Sequence, residues 1–200
     1  MIRPIARLSL AVVLAACLHF AHLADAALYD DPTAIVSDRV TFSIPGFAGA
    51  VDYAVFAPGS YSGSVGFPNQ YVYAYQLFND AASSVFVDYF SVGLYPDVGV
   101  VSAAYDPFCD GAVPGGIAPT SHLILSQSAL FIFQSNPVHL SEHSYALLLA
   151  SERAPVMGSG FISGGFTGGR LLELPTPNPV PEPSCLLLFA VGAILIRRIK

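Results

Sequence analysis

The stretch Tyr71-Val-Tyr-Ala-Tyr-Gln-Leu-Phe78 decides the fold class, because its side chains repeat with a period of two. Its odd-numbered positions carry three tyrosines and a leucine, and its even-numbered positions carry Val, Ala, Gln and Phe. Successive side chains of a β-strand point to opposite faces, so this alternation predicts a strand. Both faces are mostly apolar, and we therefore expect a central strand that is packed on one side and partly covered on the other. Asn79-Asp80 should end it.

Similar short segments lie on both sides of this strand. Residues 85–95 predict the next strand, and its inward positions would be Phe86, Phe90, Val92 and Leu94. Further strands are predicted at residues 35–44, 50–56, 99–105, 129–134, 144–151 and 160–166. Breakers such as Pro45-Gly46 and Asn136-Pro137 separate them. Short strands with a turn signal about every ten residues predict a single antiparallel β-sandwich, immunoglobulin-like or jelly-roll-like, over residues 27–173.

The composition limits the classes of function that the chain can have. Its 200 residues allow one domain, and only 11% of them are charged, against about 25% in typical soluble domains. Between residues 27 and 180 three arginines face twelve Asp and Glu, a formal balance of −9. Such a surface repels phosphate backbones, so we expect no nucleic-acid partner.

The amino-terminal segment has the layout of a secretory signal peptide, residues 1–26. Two arginines precede a largely apolar run at residues 8–23, and Ala24 and Ala26 place small side chains at the cleavage positions. We expect cleavage after Ala26 and export of the remainder. The alternative is lipidation of Cys17, which ends a Leu-Ala-Ala-Cys sequence. The apolar segment continues past Cys17, however, where a lipoprotein would have a polar tether.

The carboxy-terminal segment carries a second signal. Residues 174–183 have proline at every second position, which predicts an extended, semi-rigid spacer. It ends in the triplet Pro181, Glu182 and Pro183, which cannot be helical. Ser184 follows, and then an uninterrupted apolar run at residues 185–196. Arg197 and Arg198 then close the run as a basic stop. We therefore expect a transmembrane anchor at residues 184–200.

This order of motifs resembles the PEP-CTERM sorting domain of bacterial surface proteins. The resemblance covers Val180 to Ser184, the apolar run and the two arginines, about a tenth of the chain. It implies that an exosortase, a membrane-embedded transpeptidase-like enzyme, recognises Pro181-Glu182-Pro183 and cleaves beside it. The precursor would then be anchored in the inner membrane, and the product would go to the cell surface or to an extracellular polysaccharide matrix.

The middle of the chain contains no clear catalytic or metal-binding motif. Ser64 and Ser159 stand next to glycines but lack the flanking pattern of a nucleophile elbow, and both predict flexible loops. His139 and His143 are four residues apart, yet they lie beside Pro137 and ahead of a strand, so they would not share a helical face. We expect no catalytic residue, no cofactor and no metal site.

One loop concentrates acidic side chains. Asp106 and Asp110 flank Cys109, and the interpretation favoured by the sequence is a solvated acidic loop; a weak calcium contact is the alternative. Cys109 is expected to be a partly buried small hydrophobic residue without a disulfide partner in the domain. The sequence therefore favours a non-enzymatic exported protein. The alternative is a carbohydrate-binding module or a weak polysaccharide-active enzyme.

Overall fold

The structure is a computed structural model that describes residues 27–96, 101–165 and 168–179. In this part of the chain ten strands form two antiparallel sheets of five strands each. The remaining element is a short 3₁₀ turn, Leu28–Asp30, and no described residue lies in an α-helix. The prediction of an all-β, sandwich-like domain is confirmed.

The two sheets interleave along the sequence. The strand order in the first sheet is β1 (Val36–Ile44), β2 (Phe47–Phe56), β3 (Tyr71–Asn79), β8 (Ala146–Ser151) and β5 (Val101–Asp106). The order in the second sheet is β10 (Gly169–Pro177), β9 (Pro155–Ser163), β4 (Tyr89–Gly93), β7 (Ser128–Ile132) and β6 (Ser121–Ile124). Each sheet therefore combines strands that are distant in the sequence.

The tyrosine-rich strand β3 lies at the centre of the first sheet, between β2 and β8. Tyr73, Tyr75 and Leu77 point into the core between the sheets and are fully buried. Val72 and Ala74 point to the opposite face and are also fully buried, in a second apolar cluster. The alternation of the sequence thus corresponds to two buried faces.

The main core lies between the two sheets. Its largest fully buried side chains include Phe47, Tyr75, Phe90, Phe131, Leu149 and Ile162. Burial of each such side chain contributes roughly 1.5–3 kcal/mol, so this core is the main source of stability. A hydrogen bond also joins the sheets, since the Tyr75 hydroxyl donates to the carbonyl of Pro175 at 2.5 Å.

Loops cover the outer face of the first sheet and form the second cluster there. They come from the segments around residues 28–34, 61–67 and 104–112. Leu28, Phe56, Cys109 and Leu148 are buried in this cluster. The central strands of the first sheet are therefore covered on both faces by the chain itself.

Strand β10 corrects the predicted domain boundary. Residues 174–177, which the sequence assigns to the spacer, pair with β9, and Leu174 and Thr176 are fully buried. Pro175 and Pro177 have no backbone N–H to donate to a neighbouring strand. Because β10 is an edge strand, prolines at alternate positions can both face the edge of the sheet where no strand pairs. The boundary at residue 173 is therefore placed too early.

Two further differences concern strand register and number. Phe86 was expected to point inward but is exposed, because Val87 forms an isolated bridge with Val138 and is itself buried. The inward alternation consequently shifts by one residue between Val87 and Phe90. Strand β6 was not predicted at all, and all four of its residues are exposed.

The predicted signals at the two termini lie outside the described residues. This applies to the cleavage residues Ala24 and Ala26, to Cys17, and to the sorting and stop residues of the tail: Pro181, Glu182, Pro183, Ser184, Arg197 and Arg198. In the described ranges, no helix has the length and hydrophobicity needed to cross a membrane.

Candidate functional site

Asp106, at the end of β5, is the centre of a buried hydrogen-bond network. Its carboxylate accepts the Tyr61 hydroxyl at 2.7 Å, the Ser64 N–H at 2.6 Å and the Ser64 hydroxyl at 2.5 Å. It also accepts the N–H groups of Phe108 at 2.8 Å and Val65 at 3.3 Å. The side chain is almost fully buried, so the expectation of a solvated acidic loop is wrong for this residue.

The network sets the ionisation of Asp106. Burial disfavours the charged carboxylate, but the hydrogen bonds from Ser64, Tyr61 and the backbone outweigh it and lower the pKa of Asp106 below its ordinary value. All of these donors come from protein groups. The carboxylate is therefore engaged in holding residues 61–65 against β5, and it is not free to bind a metal.

Cys109 and Tyr61 lie beside this carboxylate, and burial keeps both side chains protonated. Cys109 is buried and has no disulfide partner among the described residues, and burial raises the pKa of its thiol to about 12. Burial also raises the pKa of Tyr61 far above its ordinary value. Because the thiolate is the reactive form of cysteine, Cys109 is unsuited to nucleophilic chemistry and packs as a small apolar side chain.

His139 and His143 each contact a different aromatic ring. His139 packs edge-on against Phe86, with ring centroids 4.5 Å apart, and His143 stacks on Phe78 at 5.7 Å. The Nε2 atom of His143 also lies 3.1 Å from the carbonyl oxygen of Pro114. Within residues 27–96, 101–165 and 168–179, no group of three or more His, Cys, Asp or Glu side chains is arranged to hold a metal ion.

The two glycine-flanked serines have structural positions. Ser159 lies within β9, so its prediction as a flexible loop is wrong; the strand begins earlier, at Pro155. Ser64 lies in a loop, as predicted, but its hydroxyl is bound to Asp106. A side chain at Gly63 would collide with the Tyr61 hydroxyl and with this carboxylate, so glycine is needed for their close approach.

An ion pair that was not predicted lies on the outer face of the first sheet. Arg39 of β1 faces Asp52 of β2, and its Nε and Nη2 atoms donate to the two carboxylate oxygens at 2.5 and 2.8 Å. Asp52 is fully buried, whereas the Arg39 side chain is 38% exposed. The hydrogen bond to Asp52 raises the pKa of Arg39, although burial opposes it.

Aromatic rings fix the orientation of this arginine. The Arg39 guanidinium carbon lies 4.5 Å from the ring centroid of Tyr29 and 5.0 Å from that of Phe78. Each such contact contributes about 0.5–1 kcal/mol at a partly exposed site. His143 stacks on Phe78 in turn, so Tyr29, Arg39, Phe78 and His143 form a continuous row of contacting planar groups.

A hairpin signal in the sequence could have revealed the ion pair. Pro45-Gly46 is a turn dipeptide, and Gly46 has the positive φ of 77° that suits the second central position of such a turn. A hairpin closed by Ile44 and Phe47 places residues opposite each other when they are equally distant from the turn. Arg39 and Asp52 satisfy that condition, so the pairing follows from the position of the turn.

Beside the ion pair lies an open trough of about 520 Å³, which we call the outer trough. Ala48 and Ala50 line it with small side chains, and Arg39, Thr41, Ser43, Phe78 and Asp80 are among its other residues. The hydroxyls of Thr41 and Ser43 are exposed and have no hydrogen-bond partner in the described part of the chain. Donors and acceptors of this kind can bind a polar ligand in a volume typical of small-molecule sites.

Comparisons with family models, with curated proteins and with solved structures found no match to this chain.

Proposed function

We propose that this chain is an exported, non-enzymatic surface protein whose carboxy-terminal segment is a sorting signal that an exosortase removes. The observation that carries the proposal is the order of motifs after β10: a Pro-Glu-Pro-Ser sequence at residues 181–184, an apolar run at residues 185–196, and Arg197-Arg198. In this proposal an immunoglobulin-like or jelly-roll-like sandwich is the exported cargo. Its destination is the cell surface or the polysaccharide matrix around the cell.

The length of the apolar run suits a temporary anchor. Twelve residues in a helix span ~18 Å at ~1.5 Å per residue, whereas the hydrocarbon core of a bilayer is ~30 Å thick. Such a helix crosses only with local thinning of the bilayer and with its basic residues reaching towards the headgroups. The anchor therefore retains the precursor at the inner membrane for cleavage, and the product is then released.

Replacing Glu182 with Ala should leave most of the protein uncleaved in the membrane, because the recognised motif loses its charged side chain. In unmodified cells, mass spectrometry of the surface-exposed form should find no peptides from residues 186–196. The matched control is Glu173→Ala, which removes an exposed glutamate of β10 and should not affect cleavage. Recovery of peptides 186–196 from the surface form would mean that the tail is a permanent anchor.

The outer trough supports a second candidate function, binding of a saccharide. Its exposed hydroxyls, its oriented guanidinium group and the Asp80 carboxylate match the donors and acceptors of sugar hydroxyls. The small side chains of Ala48 and Ala50 leave room for a ring to approach the sheet. In this candidate function the protein is a carbohydrate-binding module of the extracellular matrix.

The double variant Thr41→Val with Ser43→Ala should weaken saccharide binding about tenfold, because two hydrogen bonds of about 0.5–1.5 kcal/mol each are lost. Binding of the surface form to a panel of extracellular polysaccharides would be measured. Ser121→Ala, on an exposed strand of the other sheet, is the control and should bind as the parent does. Equal affinity of the double variant and the parent would count against the outer trough as the binding site.

A further inference from the structure

The outer face of the second sheet carries a row of five side chains, one from each strand, and four of them are apolar. In the strand register, Leu171 of β10 lies opposite Phe161 of β9, and Phe161 lies opposite Ser91 of β4. Ser91 pairs in turn with Leu130 of β7, which pairs with Leu123 of β6. In β4, β7, β9 and β10 a neighbour in sequence points into the core, and Leu123 shares the face of its partner Leu130, so these five side chains point away from the core. We call this surface the second-sheet face.

The second-sheet face is exposed in the described structure. Leu171 is 70% exposed, Leu123 48% and Phe161 39%. The outer face of the first sheet, by contrast, is covered by loops that form a buried cluster. No described segment covers the second-sheet face in that way, although four of the five side chains in its row are apolar. A face of this size and polarity indicates a binding surface.

The shape of the face also suits a protein partner. Gly93 has no side chain and that of Ser159 is small, which leaves a groove of about 580 Å³. Tyr95, Met157 and Leu171 also line it. Tyr95 and Met157 are themselves 39% and 41% exposed. A groove with apolar walls accepts an apolar side chain that projects from an opposing surface.

The charge distribution favours a second copy of the same chain. The described residues include eleven Asp and Glu but only three Arg, so two copies repel each other over most of their surfaces. Glu173 is the one charged side chain of the described chain that lines the groove of the second-sheet face. The row itself is uncharged, so this face is where two copies approach at the lowest electrostatic cost. It has no cluster of Lys or Arg that would favour anionic lipid headgroups.

The area of the second-sheet face limits the size of the interface that two copies can form. Five strands spaced ~4.8 Å apart, with lengths from ~13 to ~30 Å, give a face of roughly 400–700 Å². Two such faces bury about 800–1,400 Å² in total, close to the lower limit of specific interfaces. We propose that two copies of this chain pack their second-sheet faces together about a two-fold axis and form a weak, concentration-dependent dimer. A two-fold axis brings the same apolar row from each copy to the interface.

Site-specific photocross-linking of the full chain tests the dimer. A benzoylphenylalanine probe replaces Leu171 in one variant and Phe108 in the other, since Phe108 is 75% exposed but lies on the loop after β5, away from the second-sheet face. Illumination should give a cross-linked dimer from position 171, with a yield at least about tenfold higher than from position 108. The yield should rise with protein concentration, because the predicted contact is weak.

Charge substitution supplies an independent readout. Leu123→Glu in the chain with the probe at residue 171 should reduce the dimer yield at least about tenfold, because it places a carboxylate in each copy of the interface. Leu123 lies on an exposed edge strand, so this variant should keep the far-ultraviolet circular dichroism of the parent. Ile35→Glu, a matched change at an exposed apolar residue of the first sheet's side, should leave the yield unchanged.

Four outcomes of the comparison between positions 171 and 108 would overturn the proposal. They are equal dimer yields from positions 171 and 108, no dimer from position 171 at any concentration, cross-linking of position 171 to a different protein or to lipid, and cross-linking within one chain to residues 185–196. The last two would identify another occupant of the second-sheet face. A dimer that persists unchanged with Leu123→Glu would also contradict the packing proposed here.

Discussion

Replacing Asp106 with Ala should lower the free energy of unfolding by about 3–5 kcal/mol. The carboxylate accepts five hydrogen bonds from the residue 61–65 loop and from Phe108, and the substitution leaves these donors without an acceptor. Such a loss exceeds that of a typical surface substitution severalfold. Urea unfolding of residues 27–179, which include both sheets, followed by circular dichroism would measure it.

The same network predicts how stability depends on pH. The pKa of Asp106 is lower in the folded protein than the value of about 3.9 expected in the unfolded chain. Its contribution is therefore complete above about pH 4 and is lost as the pH falls through the folded-state pKa. Asp106→Asn should be less stable than the parent at pH 7, and the difference should shrink as the pH falls below 4.

Asp110→Ala is the control for Asp106. Asp110 is exposed and accepts one hydrogen bond, from the Ser62 hydroxyl at 2.6 Å, so its loss should cost less than about 1 kcal/mol. If Asp106→Ala lowers the free energy of unfolding as little as Asp110→Ala does, the residue 61–65 loop contributes little to stability. A difference between parent and Asp106→Asn that does not vary with pH would contradict the assigned ionisation.

Replacing Arg39 with Met should destabilise the domain by about 3 kcal/mol, because Asp52 would remain buried as an unpaired charge. Contacts of the guanidinium with Tyr29 and Phe78 would be lost as well. The double variant Arg39→Met with Asp52→Leu should recover most of this stability, since it removes the buried charge together with its partner. Thermal and urea unfolding of the parent, of Arg39→Met, of Asp52→Leu and of the double variant would give the coupling energy.

Arg170→Met is the matched control for Arg39, since it removes an exposed arginine of β10. We expect it to change the stability by no more than about 0.5 kcal/mol. A double variant as unstable as Arg39→Met alone would mean that the aromatic row around the guanidinium, not the ion pair, provides the stabilisation.

The pattern of the sequence predicts the strands whose faces differ from their surroundings in polarity. Strand β3 is predictable because its apolar side chains repeat with a period of two over eight residues. Strand β6 lacks this signal, since it is only four residues long and exposed throughout. Strand β10 is not predicted because Pro175 and Pro177 are typical of a linker. Prolines are compatible with a strand only at the edge of a sheet, which is where β10 lies.

The environment of individual side chains is less predictable than the strands. Asp106 is acidic and is followed by Pro107, Asp110 and Gly111, so the local sequence favours a solvated loop. Its carboxylate accepts hydrogen bonds from Tyr61, Ser64 and Val65, which lie more than forty residues earlier in the chain. Only the pairing of distant strands brings these groups together, and no local pattern records that pairing.

The hydrogen bond between Tyr75 and Pro175 has a consequence for the order of folding. It joins residues 100 positions apart, and β10 also adds Leu172 and Leu174 to the core between the sheets. Contacts between such distant segments slow folding, because the chain must close long loops before these contacts stabilise it. As synthesis proceeds from the amino terminus, the core cannot close until residues up to about 175 have emerged. Under the proposed export, the chain would therefore cross the membrane unfolded and acquire its sandwich only when translocation has nearly reached residues 181–184.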